Sequence, residues 1–269
     1  MKTGMRQYLE NTTWCGKERH HFAIIDSTNK KAKELAQEGC AHGTLVTADA
    51  QQAGIGRRGR SWSSEEGAGI YMSLVLRPQI ETESASRLTL VAALAVAKAI
   101  EDVLKRHGCA NVYPQIKWPN DIVLNKKKIC GILTEMSLNG TNIDSIIIGI
   151  GINVLNQSFA KDLQATASSL LLETGVRLEK EVLIEAVWQQ FETYYASFIE
   201  TEDLQNMKAE YENLLANKNN IVKVLDPNGE YEGIAKGITN TGELIVEAEQ
   251  GICEVASGEV SVRGIYGYV

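Results

Sequence analysis

The chain has 269 residues, 44% of them hydrophobic and 23% charged, an ordinary composition for a globular protein and long enough for a large domain with or without a small one. Its formal net charge of -7 weighs against a general nucleic-acid binder, a class that is usually basic. The longest apolar stretches, 88–100 and 146–154, are too short or too interrupted to span a membrane, and residues 1–18 hold no apolar leader core.

The pattern of elements starts with a short strand over 20–25. Ser27 then caps a helix whose Ala32, Leu35 and Ala36 face inward and which Gly39 stops. A β-branched strand over 44–48 runs into a stretch rich in glycine and arginine, 51–60, and a strand over 70–76 ends at Arg77-Pro78. The spacing of Leu88, Val91, Ala95, Ala99 and Val103 predicts a long helix over 84–107, closed by Gly108. Hairpins follow: strands 121–124 and 128–137 flank Asn125-Lys126-Lys127, and Asn139-Gly140 separates the second from a strand over 144–152. Helices are expected over 180–199, with Ile184, Val187, Trp188 and Phe191 on the apolar face, and over 203–216. From about Asn219, turn signals at Pro227-Asn228-Gly229, Thr241-Gly242, Gln250-Gly251 and Ser257-Gly258 break up short β-rich runs and predict a small barrel of about 50 residues. The divide falls between 217 and 218, and the architecture expected is α+β, a mixed β-sheet covered by helices. Cys15, Cys40, Cys109, Cys130 and Cys253 are odd in number and have no Cys-x-x-Cys spacing, so free thiols in a reducing cytoplasm are expected, with no zinc knuckle.

Gly54, Gly56 and Gly59 satisfy G-x-G-x-x-G after a strand, but the dinucleotide fingerprint needs its last glycine to open a helix. Here Arg60-Ser61-Trp62-Ser63-Ser64 follows and no helical periodicity begins, so that reading is the weaker one. Arg57, Arg58 and Arg60 crowd the same loop. Glycines let backbone approach a ligand, and guanidinium groups bind carboxylate and phosphate oxygens in pairs. Such a loop suits a site where a carboxylate meets a phosphate, two anions whose repulsion fixed cations remove. Trp62 adds a flat face for a purine or an apolar ligand. A solvated basic turn beside a core tryptophan is the alternative.

A second cluster is Lys117-Trp118-Pro119-Asn120-Asp121, with Lys126-Lys127-Lys128 close behind. Lys117 lies between Ile116 and Trp118, and a lysine among apolar residues costs stability unless an anion pairs with it. Pro119 fixes a turn that aims Asn120 and Asp121 at one spot, where Asn120 reads polar edges and Asp121 orients a cation or a metal-bound water. Lys126 and Lys127 read as an exposed hairpin turn. A third cluster, Gly149-Ile150-Gly151-Ile152-Asn153, ends an apolar strand, and its small residues serve either a ligand or close strand packing.

Together Asp26-Ser27-Thr28-Asn29, residues 51–62 (QQAGIGRRGRSW), 117–121 (KWPND), 128–135 (KICGILTE), 149–153 (GIGIN) and 258–263 (GEVSVR) resemble the biotin–protein ligase family, in the family's order and across most of the chain. The resemblance implies a catalytic domain of class II synthetase type over 1–217, binding biotin and ATP, and an SH3-like barrel over 218–269. It also implies roles. Ser27, Thr28 and Asn29 would hold the biotin ureido ring, with Gln51 near them and Gly149 in the same set. Gly56 and Arg57 would belong to a loop closing over biotin and its adenylate, and Lys128 and Gly131 would line the valeryl chain and carboxylate. Arg60 and Lys117, with Arg57 and Arg58, would neutralise phosphate; Trp62 would stack on adenine. Asn120 and Asn153 would lie close to the nucleotide, and Arg263 would reach the ATP phosphates. One position that is often arginine in the family is Ile55 here.

The chemistry so implied is adenylation of biotin by ATP, with Mg2+ carried by the triphosphate, then transfer to a lysine of a biotin carboxyl carrier protein. No metal site beyond Asp121 is suggested. The stretch ahead of Asp26 leaves no room for a DNA-binding domain of usual size, so ligation without transcriptional repression is the expectation. A homodimer stays open. The rivals are a lipoate or octanoyl ligase, which shares fold and chemistry, and a biotin-binding regulator without catalysis; Lys117, Arg57 and Arg60 argue against the second.

Overall fold

The structure, a computed structural model, describes residues 8–225, 229–257 and 261–264. Its larger sheet is mixed and seven-stranded. β1 (Arg19–Ile25) leads through Ser27 into α1 (Thr28–Gln37), then come β2 (Leu45–Gln51) and β3 (Gly69–Leu76). A 3-10 turn, Thr82–Arg87, precedes α2 (Leu88–Arg106), so the long helix begins one turn later than its periodicity suggests. β4 (Gln115–Lys117), β5 (Asp121–Leu124), β6 (Lys127–Asn139) and β7 (Asn142–Asn153) complete the sheet, in the order β1-β2-β3-β7-β6-β5-β4. β1 and β2 run parallel and every other neighbouring pair antiparallel. The β5–β6 connection is two residues, not the three expected: Asn125 and Lys126 both take positive φ (49° and 66°), as a primed turn demands, and Lys127 is already in the strand.

Pleat alternation divides the core. Ile70, Met72, Leu74 and Leu76 of β3 and Ile146, Ile148, Ile150 and Ile152 of β7 join the large cluster built with α2 and with α4 (Lys180–Thr201). The opposite face carries Val46, Val75 and Ile147, covered by Ala32 and Ala36 of α1 with Leu35 packed against them. One short helix covers far less sheet than two long ones, and the uncovered part of its face is where Ser73, Gly131, Leu133, Glu135, Gly149 and Gly151 fall by the same alternation.

α3 (Leu170–Thr174) is a single capped turn, with Ser169 Oγ accepting from Leu172 N. α5 (Lys208–Leu214) is shorter than the helix expected over 203–216. The reason is tertiary: Leu204 N donates to the Asn240 carbonyl (2.8 Å) and Asp203 Oδ1 accepts from Gln205 N (2.9 Å), tying that stretch to the next unit. There β8 (Ile221–Leu225), β9 (Tyr231–Ile238), β10 (Leu244–Ala248), β11 (Gly251–Val255) and β12 (Ser261–Gly264) form an antiparallel sheet in the order β11-β10-β9-β8-β12. The turn residues Pro227, Asn228 and Gly258 lie outside the described residues, and of Arg263 only the backbone, in β12, is described. Among the described residues no helix is long and apolar enough to cross a membrane, and all five cysteines are free.

Candidate active site

A cleft of about 440 Å³ opens on the α1 face of the sheet. Ser27, Thr28 and Asn29 from the start of α1, Gln51 at the end of β2, the 55–62 loop, Asn120, and the glycine-bearing stretches of β6 and β7 enclose it.

Its α1 end is a closed hydrogen-bond system. Ser27 caps α1, its side chain accepting from Lys30 N. Gln51 Oε1 accepts from Thr28 N (2.8 Å), and Gln51 Nε2 donates to Ser64 Oγ (3.0 Å), which fixes the amide's orientation. Asn29 Nδ2 donates to Glu135 Oε2 (2.8 Å), while Glu135 Oε1 pairs with Lys33 (2.6 Å). Buried Ser73 Oγ lies within hydrogen-bond distance of both Asn29 Oδ1 and Thr28 Oγ1. An ideal Cβ on Gly149 would stand 1.9 Å from Asn29 Oδ1, so only a glycine lets this amide reach the sheet.

The other end is aromatic and cationic. Trp62 lies on bare backbone: a Cβ on Gly131 or Gly151 would stand 2.8 or 2.6 Å from its ring. Lys128 Nζ sits 5.3 Å from the indole centroid, within cation–π range, and 2.6 Å from Asp121 Oδ1. Arg57 Nη1 donates to Asn120 Oδ1 (3.0 Å) and its Nη2 to the carbonyl of Ser257 in the C-terminal unit. Burial and then the cations of Arg58 and Arg60 pull the Arg57 pKa down, with Asp121 pulling the other way. Asn120 Nδ2 in turn donates to the Ile132 carbonyl (2.9 Å).

The structure thus gathers Ser27, Thr28, Asn29, Gln51, Gly56, Arg57, Trp62, Asn120, Lys128, Gly131 and Gly149 around one cleft. Other expected residues stand apart from its lining. Arg58 and Arg60 are exposed around a 3-10 turn in which Arg58 takes a positive φ of 58°. Lys117 is buried in β4, paired in register with Asp121. Asn153 Nδ2 donates to the Ser168 carbonyl (3.0 Å), a structural bond. Asp121 faces Lys128, and among the described residues no three His, Cys, Asp or Glu side chains gather as a metal site would need. Ile55 is half exposed at the rim. Ser73, Glu135, Ser64 and Leu133 are new to the site. The pairing of Ser73 and Leu133 with Gly149 across β3–β7–β6 places those two, while Glu135 joins through Asn29 and Ser64 through Gln51, contacts that no local pattern announces.

Comparison with known proteins fits this geometry. The sequence pattern of the biotin/lipoate A/B protein ligase family matches residues 21–153, and that of the biotin protein ligase C terminal domain matches 219–263. The bifunctional ligase/repressor BirA of Bacillus spizizenii is 39% identical over 89% of this chain and 72% of its own. The biotin–[acetyl-CoA-carboxylase] ligase of Paracoccus denitrificans is 34% identical over 90% of this chain and the whole of its own. Among solved structures, a biotin protein ligase from Aquifex aeolicus in complex with biotin and ATP superposes with a TM-score of 0.80 at 30% identity, covering 92% of this chain and 99% of that one. With matched segments in both units, a full-length relative and a common fold, this chain belongs to the biotin–protein ligase family.

Proposed function

We propose that the chain joins biotin to ATP in this cleft and hands the biotinyl group to a lysine of a biotin carboxyl carrier protein. The observation that carries the reading is the cleft's two-ended chemistry: amide and hydroxyl groups in fixed orientation at the α1 end, an indole and cations at the other. The polar end suits a ureido ring and the apolar Ile132–Leu133 stretch beside it a valeryl chain. An octanoyl chain would leave those polar groups unmatched, which disfavours that rival by the cost of burying them unpaired.

In the first step a biotin carboxylate oxygen attacks the α-phosphorus of ATP; the bond from that phosphorus to the bridging oxygen breaks, and pyrophosphate leaves. Arg57, Lys117 and Lys128 reduce the repulsion between the two anions, Arg58 and Arg60 flank Arg57 in the chain and serve the phosphates, and Arg263 of the C-terminal unit is assigned to them by the family resemblance alone. Trp62 stacks on adenine, and Asn120 holds Arg57 at the junction. Asn153 supports the strand end beneath the nucleotide. Mg2+ would come with ATP and share the charge of the triphosphate. In the second step the acceptor's lysine amine attacks the acyl carbonyl, an amide forms and AMP leaves.

Pyrophosphate exchange, run side by side with biotin, lipoate and octanoate, tests the reading. Biotin is expected to support exchange at least about a hundredfold better than the others, the range that matched polar contacts give. Equal rates with octanoate would reverse the assignment. Lys117→Ala is expected to lose exchange by about two orders of magnitude or more while keeping its circular-dichroism spectrum, as removal of a transition-state cation does.

A further inference from the structure

We infer that Glu173, a residue of α3 outside the cleft lining, is a positioning residue for Lys128: it clamps the two flanks of a bulge that turns this lysine into the cleft. The inference rests on the biotin reading above, in which Lys128 meets the biotin carboxylate.

Strict alternation along β6 would keep Lys128 out of the site. Gly131 and Leu133 line the cleft, and a residue three positions before Gly131 belongs on the opposite, core-facing side. The β5–β6 register shows why Lys128 does not lie there. Ile122 pairs with Cys130 and Val123 with Lys128, so Ile129 is an extra residue in β6. One extra residue exchanges the faces of those that precede it. Ile129 turns into the large core with Cys130, and Lys128 joins Gly131 on the cleft face. A Cβ on Gly131 would stand 3.1 Å from both Cε and Nζ of Lys128, so the lysine crosses bare backbone to reach Asp121.

The backbone groups of Lys128 are satisfied from outside the main sheet. β7 ends at Asn153, and beyond it residues 166–168 pair with Lys128 instead. Lys128 N donates to the Thr166 carbonyl (2.8 Å), and Ser168 N donates to the Lys128 carbonyl (2.9 Å). Glu173 ties this piece to the turn that precedes the bulge. One of its carboxylate oxygens accepts from Ser168 Oγ and stands 3.7 Å from Lys127 Nζ, while the other accepts from Asn125 Nδ2 (2.7 Å). The Glu173 side chain is only 11% exposed, so little water competes for these contacts. Without the carboxylate the two flanks can part, and the bulge between them loses the restraint that aims Lys128.

Calorimetry with biotin and with biotinol, its neutral alcohol analogue, isolates the effect on the carboxylate. Glu173→Ala is expected to weaken biotin about tenfold, the scale of one charge-assisted hydrogen bond, and biotinol by less than about twofold. Glu173→Gln, whose amide can donate to Ser168 Oγ and accept from Asn125, is expected to stay within about threefold of wild type. In a Lys128→Ala background, Glu173→Ala is expected to change biotin affinity by less than about twofold, because no ammonium is left to position. Should the melting temperature show that Glu173→Ala does not fold, Ser168→Ala cuts one arm of the same clamp, with a loss of about threefold expected for biotin and none for biotinol.

Equal losses for biotin and biotinol, a tenfold effect that persists without Lys128, or a Glu173→Ala protein that binds biotin like wild type would overturn the positioning role and leave the biotin reading intact. A wild-type protein that binds neither ligand would overturn both.

Discussion

At the scale of single residues, the site is decided as much by missing side chains as by present ones. Gly149 and Gly151 are two positions apart on one face of β7, yet they seat different groups: the Asn29 amide lies over the first and the Trp62 indole over the second. Gly149→Ala puts a methyl 1.9 Å from Asn29 Oδ1 and is expected to weaken biotin binding by tenfold or more, with a stability loss of about 1–3 kcal/mol from overpacking. Gly151→Ala displaces Trp62 and is expected to raise KM for ATP while leaving biotin affinity within about threefold. Calorimetry with each ligand separates the two, and identical profiles for both variants would refute the division of the cleft. The sequence exposed the glycines and the loop arginines through their unusual density. It assigned no role to Ser73, which looks like an ordinary strand serine, or to Glu135, which only closes the 128–135 segment. Their meaning comes from partners 44 and 106 residues away in the chain.

At the scale of elements, strong periodicity was legible and short pieces were not. α2 and α4 each show an apolar stripe longer than three turns and match the expected helices closely. β4 has three residues and α3 five, too few for any period to register. The segment over 11–16 had no signal at all, yet it is firmly held by α4. Glu192 on that helix accepts hydrogen bonds from Thr13 N, Trp14 N and Cys15 N, and Trp14 packs against His42, Phe191 and Tyr195. Burial opposes ionisation of Glu192, but the backbone donors prevail and hold its pKa below the usual glutamate value. A depressed carboxylate pKa adds stability that is complete above the unfolded value and disappears as pH falls through the folded one. The 11–16 strap is therefore expected to loosen only as pH drops beneath the ordinary glutamate range, near about 4.3. Glu192→Gln is expected to be cleaved faster in this strap at neutral pH and to lack the acid transition. Proteolysis mapped by mass spectrometry would show it, and a wild-type rate independent of pH down to complete unfolding would contradict it.

At the scale of the whole molecule, the two units read as separate in the sequence, because turn density changes near Asn219, but they share a core. Trp118 is almost fully buried, with its Nε1 donating to the Gly242 carbonyl (3.0 Å) and its backbone N to Asn217 Oδ1 (2.9 Å). Glu212 of α5 accepts from Ile238 N of β9 (3.1 Å), and Leu90 and Leu204 close against Gly242. The Lys-Trp-Pro-Asn-Asp block thus faces two ways: Asn120 toward the cleft, Trp118 into the contact with the C-terminal sheet. Unfolding is expected to be a single calorimetric transition. Trp118→Phe removes one buried hydrogen bond worth about 1–2 kcal/mol and is expected to lower that single Tm by about 3–6 °C. Two resolved transitions in the wild type would mean that the units fold independently.

The seat of Trp62 has an optical consequence. Of four tryptophans, Trp118 and Trp188 are sealed in the core and Trp14 belongs to the strap, while Trp62 lines the cleft with an ammonium group 5.3 Å from its ring. One indole therefore stands where the nucleotide is proposed to bind, and its emission should register arrival and departure directly. Stopped-flow traces at tryptophan wavelengths are expected to resolve ligand entry from the slower chemistry, without any attached dye. In Trp62→Phe the steady background of the other three should remain and the ligand-dependent signal should vanish.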